Sequence, residues 1–170
     1  MDLKNIIRDV VDFPKKGIVF KDITTILQDP KALKASVDEF EAALEGLEFD
    51  YIVGPESRGF IFGVPLAYNM EKGFLPVRKA GKLPYETRSK EYDLEYGSAV
   101  IEMHVDAIKP GDRIVIVDDL LATGGTSCAM VELIEELGGV VSKMVYLIEL
   151  EFLAGRDKLK DYDVVSIIKY

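Results

Sequence analysis

The stretch Arg113–Ser127, RIVIVDDLLATGGTS, constrains the fold of this chain more than any other. Arg113–Val117 is dominated by Ile and Val without polar alternation, which predicts a strand buried on both faces, since a half-exposed strand would alternate. Asp118-Asp119 is expected to end it. Leu120-Leu121 leads into Ala122-Thr123-Gly124-Gly125-Thr126-Ser127, where two glycines permit positive φ and close backbone approach and three hydroxyls can donate or cap. Ala129, Met130, Leu133, Ile134 and Leu137 share one helical face, so a helix is expected over 127–137, stopped by Gly138-Gly139. Strand, glycine turn and helix together are the unit of an α/β sheet.

Such a unit is also a phosphate site. Loop N–H groups and the positive end of a helix dipole attract an anion, and neighbouring carboxylates suit sugar hydroxyls and a hydrated Mg²⁺. The glycines alone are equally compatible with a tight βα turn, and Asp119 with a helix cap. Two adjacent acids at the end of a buried strand, however, are costly unless something cationic or hydroxylated meets them. Neither G-x-x-x-x-G-K-[ST] nor G-x-G-x-x-G occurs here, which sets aside the common nucleotide-binding loops.

Composition narrows the partners. The 170 residues predict one domain, 1–170, with 48% hydrophobic and 30% charged residues, ordinary for a soluble protein. No apolar run reaches the ~20 residues of a membrane span, so no membrane role is expected. The opening MDLKNIIRDVVDF is acidic and amphipathic, without the basic and apolar regions of a signal peptide, and the cytoplasm is the expected location. Thirty acids against 21 bases give a net charge of −9, which opposes nucleic-acid binding. A phosphorylated ligand must therefore meet local positive charge. Cys128 is the one cysteine, so an internal disulfide and a thiolate metal cluster are excluded. With no obvious base nearby it reads as a small buried helix residue, and His104, on the polar face of an alternating strand with Val100 and Glu102, as an exposed strand residue.

The remaining chain alternates helices and strands. Residues 1–28 form an arm with a short amphipathic helix (Leu3, Ile6, Ile7, Val10), then Phe13-Pro14 and Gly17 leading to Ile18–Phe20. Asp29 caps a helix with Pro30 at its first position and Leu33, Val37, Phe40, Leu44 and Leu47 on one face. Strands are expected at 51–53, 74–78, 98–105, 140–150 and 164–168, and a helix over 60–72. The exit loop 54–59 carries Arg58, either a surface residue or a cation for an anion. From 79 to 96 the chain is polar and holds Lys79, Lys82, Arg88 and Lys90, a solvated loop or a lid. In a parallel sheet the ligand sits beyond the carboxyl ends of the strands, where 56–59, 78–82 and 118–126 would converge.

VDDLLATGGT resembles the phosphoribosyl pyrophosphate (PRPP) motif of the type I phosphoribosyltransferases, most closely the branch that acts on adenine. Four further patches match in order: DFPKKGIVFKDIT at 12–24, GPESRGFIFG at 54–63, VRKAGKLP at 77–84 and LEYG at 94–97. The resemblance implies a type I phosphoribosyltransferase-like α/β fold, a mostly parallel sheet flanked by helices, with an N-terminal hood at 1–28 and a flexible lid loop at 79–96. It also implies purine salvage, converting adenine and PRPP to AMP and pyrophosphate, in a homodimer, with Mg²⁺ held mainly through PRPP and water. Ala122, Thr123, Gly124, Gly125 and Thr126 would bind the 5′-phosphate, and Asp118 and Asp119 the ribose hydroxyls. Ser57, Arg58, Lys79, Lys82, Tyr96 and an Arg78 contributed by the partner would serve PRPP and its pyrophosphate. Glu95 would handle the adenine N7 proton, Val19 and Lys21 would read the base edge through their backbone, and Phe20 and Leu150 would cover its two faces. The family pattern further implies a cis peptide at Glu56–Ser57. Lys21 and Ala80 stand where the family also uses Arg, and Ala80 leaves one cation fewer near the lid. Two other readings are a transferase for hypoxanthine or xanthine and a non-catalytic PRPP-sensing regulator. Regulators usually add a DNA-binding segment, for which neither terminus is expected to leave room.

Overall fold

In the computed structural model, which describes residues 1–94 and 97–170, the arm opens with a 3-10 turn at Leu3–Asn5. An antiparallel ribbon follows, β1 (Arg8–Val11) with β2 (Val19–Asp22), which corrects the helix expected there. So short a helix is marginal in isolation, whereas Val10, Val11 and Val19 suit extended backbone and pair across the ribbon as Val10↔Phe20 and Val11↔Val19. The short α1 (Thr24–Gln28) leads to α2 (Pro30–Ala43). Asp29 caps α2 as expected, its carboxylate accepting from the N–H of Lys31 at 2.8 Å, with Pro30 in the first turn.

The main sheet has seven strands among the described residues. These are β3 (Tyr51–Pro55), β4 (Gly73–Lys79), β5 (Thr87–Asp93), β6 (Ser98–His104), β7 (Arg113–Leu121), β8 (Val140–Glu149) and β9 (Val164–Lys169), in the order β5-β6-β4-β3-β7-β8-β9. From β4 through β3, β7 and β8 to β9 every pairing is parallel, and β6 runs antiparallel to β4 and β5. The crossover helices are α3 (Arg58–Asn69) and α4 (Gly125–Glu136), each starting two residues before the expected position because the strand exits turn directly into them. One apolar cluster holds Phe40, Ile52 and Phe62, and a second holds Met103, Ile114, Ile116, Met130 and Tyr146.

Two further differences shape the site. β7 does not end at the acidic pair but continues to Leu121, because β8 extends equally far and the ladder runs on through Asp118↔Tyr146 and Leu120↔Ile148. The polar stretch 79–96 contains β5, paired with β6 residue for residue from Thr87↔His104 to Asp93↔Ser98. As an edge strand it needs no apolar period, so its TRSKEYD composition hides it.

Candidate functional site

β7 carries Asp118 and Asp119 out of the core at the carboxyl end of the parallel sheet. Asp119 is buried, and its Oδ2 lies 2.6 Å from Nε of Arg58 in the first turn of α3. Asp118 is half-buried and accepts the N–H of Asp119 at 2.8 Å. Burial, followed by the charge of Asp119, pushes the Asp118 carboxyl well above the usual carboxylate range. Gly59 lets α3 come this close: a Cβ there would stand 2.5 Å from Pro55 Cδ and 3.2 Å from Asp118 Oδ1. With one cation between two acids, the site has carboxylate capacity left for hydroxyls or a hard cation.

Gly124 sits at φ 84° as the N-cap of α4, a conformation that glycine adopts without strain. Ala122, Thr123, Gly124, Gly125 and Thr126 line a cavity of about 200 Å³ together with Arg58 and the two acids. The first-turn N–H groups of a helix have no intrahelical acceptors, so this loop offers an anion both donors and the helix dipole. Ser127 is buried, and its hydroxyl accepts from Tyr146 at 2.6 Å, fixing the start of α4 on β8. Thr126 Oγ1 lies 3.2 Å from the Tyr92 hydroxyl of β5.

A second cavity, about 750 Å³, adjoins the first and brings together Ser57, Arg58, Arg78, Lys79, both acids, Thr126 and Tyr92. The Glu56–Ser57 peptide bond is cis, as the resemblance implies, as is Phe13–Pro14. Glu56 joins the end of β3 to that of β4, accepting the Lys79 N–H at 2.5 Å and Arg78 at 3.2 Å. The Lys79 N–H, with help from the Arg78 guanidinium, holds its carboxyl below the usual range. Arg78 thus lies in the cavity of its own chain, with its Nε buried and without a partner among the described residues. Lys82 is exposed and lines neither cavity; its carbonyl accepts from Arg78 at 3.3 Å.

The arm reaches this site through Phe20. Its ring centroid lies 5.7 Å from the Arg58 guanidinium carbon, and Phe13 packs edge-on at 5.2 Å. Val19 is exposed, and the Lys21 side chain turns away to Asp9 at 2.7 Å and to the Tyr170 ring at 3.9 Å. Leu150 packs against the edge of the core and lines neither cavity. Glu95 and Tyr96 lie outside the described residues. His104 is a strand residue as expected but half-buried rather than exposed, because it lies against the 85–86 segment, where its Nε2 accepts the Tyr85 N–H at 3.4 Å; Cys128 is half- rather than fully buried, and burial pushes its thiol up, away from reactivity. The sequence places Glu56 at the site without a role for its side chain, and assigns nothing to Tyr92, which with Glu56 stands in the cavity wall, or to Gly155, which underlies the loop. Glu56 sits inside the matching GPESRG patch, a usable signal, whereas Tyr92 lies in a strand without apolar period.

The model of the phosphoribosyl transferase domain family matches residues 23–169. The adenine phosphoribosyltransferase of Lachnoclostridium phytofermentans is 61% identical over 99% of this chain and 97% of its own length. The crystal structure of adenine phosphoribosyltransferase from Thermoanaerobacter pseudethanolicus superposes with a TM-score of 0.97 at 57% identity, covering 99% of this chain and 98% of that one. That of the Saccharomyces cerevisiae enzyme, complexed with adenine and an imino-altritol bisphosphate, gives 0.92 at 42% identity over 98% and 96%. With likeness of this order over 99% of its length, the chain belongs to the adenine phosphoribosyltransferase family.

Proposed function

We infer that this protein transfers the 5-phosphoribosyl group of PRPP to adenine, forming AMP and pyrophosphate, as a cytoplasmic purine salvage enzyme. The observation that carries the reading is Arg58, whose guanidinium stands between the Phe20 ring and the Asp119 carboxylate. One side chain thereby links the hood, the exit loop of β3 and the acidic strand end, the three places where base, pyrophosphate and ribose must meet. The ligands of the yeast relative, adenine and an imino-altritol bisphosphate, fit the same division.

Adenine N9 attacks ribose C1 as the C1–O bond to pyrophosphate breaks, through an oxocarbenium-like state. Ala122, Thr123, Gly124, Gly125 and Thr126 hold the 5′-phosphate by backbone N–H groups and the helix end, and Asp118 and Asp119 orient the ribose hydroxyls. Arg58, Ser57, Lys79, Lys82 and Tyr96 bind PRPP and stabilise the departing pyrophosphate. Asp118 and Asp119 are also hard oxygen donors of the kind Mg²⁺ takes through its waters. Bound with PRPP, Mg²⁺ would neutralise part of the pyrophosphate charge. Glu95 takes up the adenine N7 proton, and the 80–86 connection between β4 and β5, which carries Lys82, closes over the cavity to exclude water. Lys90 ties β5 to α4 through Glu132 and Glu136, so closure would begin from an anchored strand.

Val19 and Lys21 are two apart in β2, so their main-chain groups point to one edge, and the Ile18 carbonyl before them accepts from Phe13 on the β1 side. That leaves the Val19–Lys21 edge free for the donor–acceptor edge of a purine, with Phe20 and Leu150 for its faces. A homodimer completes the reading: Val64 and Tyr68, one turn apart on α3, expose apolar surface that a second copy would cover, and Arg78 would reach the partner's site. The test is direct. Protein with Mg²⁺, PRPP and adenine should yield AMP and pyrophosphate in equal amounts, and absence of AMP overturns the reading.

A further inference from the structure

Glu149 ends β8 with a side chain only 4% exposed and lines neither cavity. Arg156, in the turn that follows, forks onto it: Nε lies 2.9 Å and a terminal nitrogen 2.5 Å from its two carboxylate oxygens. Remaining guanidinium donors reach the Val164 carbonyl at 2.7 Å and the Ser166 hydroxyl at 3.1 Å, both in β9. The fork therefore ties two strand ends to one turn, and Arg156 holds the Glu149 carboxyl below its usual range.

What lies on either side of this pair gives it a task. Gly155 lies directly under the anion loop: a Cβ on it would stand 2.2 Å from the Ala122 carbonyl oxygen and 3.0 Å from the Gly124 nitrogen. This is backbone against backbone, with no side chain to lock it, and the turn is entered through Ala154 at φ 52°, a strained conformation for a residue with a Cβ. On the other side Leu150 follows Glu149, its N–H bonded to the Leu121 carbonyl at 3.0 Å. The residue next to Gly155 and the residue next to Leu150 are thus the two halves of one buried ion pair.

We propose that Glu149 and Arg156 are positioning residues for the phosphoribosyl site, holding Gly155 beneath Ala122–Gly124 and Leu150 beside the end of β7. Neither touches substrate. The proposal rests on the reading of Ala122–Thr126 as the 5′-phosphate loop. A planar fork fixes direction as well as distance, whereas an ammonium fixes a single point, so Arg156→Lys keeps the charge and loses the device. In Arg156→Lys the KM for PRPP should rise about 10-fold with kcat within about 3-fold, measured well below the variant's Tm. Direct PRPP binding should weaken by the same factor. Glu149→Gln, which keeps an acceptor facing the fork, should show a smaller rise in the same constant, and serves if Arg156→Lys does not fold.

A purely structural pair would lower Tm and leave KM unchanged, and that result overturns the proposal. In the ligand-free protein, the amide resonances of Gly124 and Gly125 should move in Arg156→Lys relative to wild type. Unmoved amides overturn the proposal whatever the substrate. Moved amides in a protein that makes no AMP from PRPP uphold the positioning and refute the functional reading.

Discussion

Replacing Gly124 by Ala asks whether backbone geometry makes the phosphate loop. The residue sits at φ 84°, and the left-handed region costs an L-residue roughly 1–2 kcal/mol. The new Cβ would also stand 2.7 Å from the Gly155 carbonyl oxygen, an overlap that only backbone movement relieves, at roughly 1–3 kcal/mol. Together these remove about 3 kcal/mol, and for a chain of this size each kcal/mol moves Tm by roughly 2–4 °C, so a fall of about 10 °C is expected. The loop must shift by about an ångström to relieve the contact, enough to cost on the order of 10²-fold in kcat/KM for PRPP. Gly125→Ala is the stability control, because its Cβ would meet Tyr92 at an ordinary 3.4 Å. Calorimetry without ligand and initial rates against PRPP, taken well below Tm, measure both effects. A Gly124→Ala protein with Tm within about 2 °C of wild type and unchanged PRPP kinetics would show that the loop accepts a Cβ at this position.

If Asp118 and Asp119 hold the ribose in ground and transition states alike, Asp118→Asn and Asp119→Asn should each raise the KM for PRPP as well as lower kcat, whereas Glu95→Gln should lower kcat by about 10²–10⁴-fold with PRPP binding little changed. An unchanged kcat in the Gln variant would remove Glu95 from the mechanism. Mixing inactive Arg78→Ala with inactive Asp118→Asn chains should restore part of the activity if Arg78 serves the partner's site; no recovery in a mixed dimer confines it to the cavity of its own chain. Asp22 is held at about 2 by the Thr24 N–H and Arg8, so its contribution is present above the ordinary carboxylate range and lost as pH falls through about 2. Asp22→Asn should therefore cost roughly 1–2 kcal/mol at pH 7, allowing for solvent screening of Arg8, and nothing in acid, a difference that pH-dependent melting reads directly.

The inner sheet was legible because its residues meet one demand: Ile114–Val117 and Met144–Ile148 are buried on both faces, so an unbroken apolar run can mean little else. The Asp29-Pro30 cap and the turn at Gly138, φ 92°, are local chemistry that any fold would use in the same way. β1 and β5 were hidden for the opposite reason. Each is paired along one edge, with polar or exposed residues, and its pairing partner rather than its own period makes it a strand. In the candidate site, the acidic pair, the glycine loop and Arg58 stood out by residue type and by lying at strand exits, though a tight turn, a helix cap and a surface arginine explained them as well, and the structure brings them to one cavity. Glu56 binding across to Lys79, Tyr92 above Thr126, and Gly155 beneath Gly124 join residues 23 to 34 positions apart, and no local pattern encodes such meetings. The direction of the Lys21 side chain likewise depends on Tyr170, at the far end of the chain.

The most direct test of the central claim is the ratio of kcat/KM for adenine to that for hypoxanthine, at saturating PRPP and Mg²⁺. If the Val19–Lys21 edge reads the base through backbone groups, the 6-oxo group of hypoxanthine opposes a carbonyl and leaves buried groups unpaired, and adenine should be preferred by at least ~10²-fold. Equal values for the two bases, or better use of hypoxanthine or xanthine, would contradict the account.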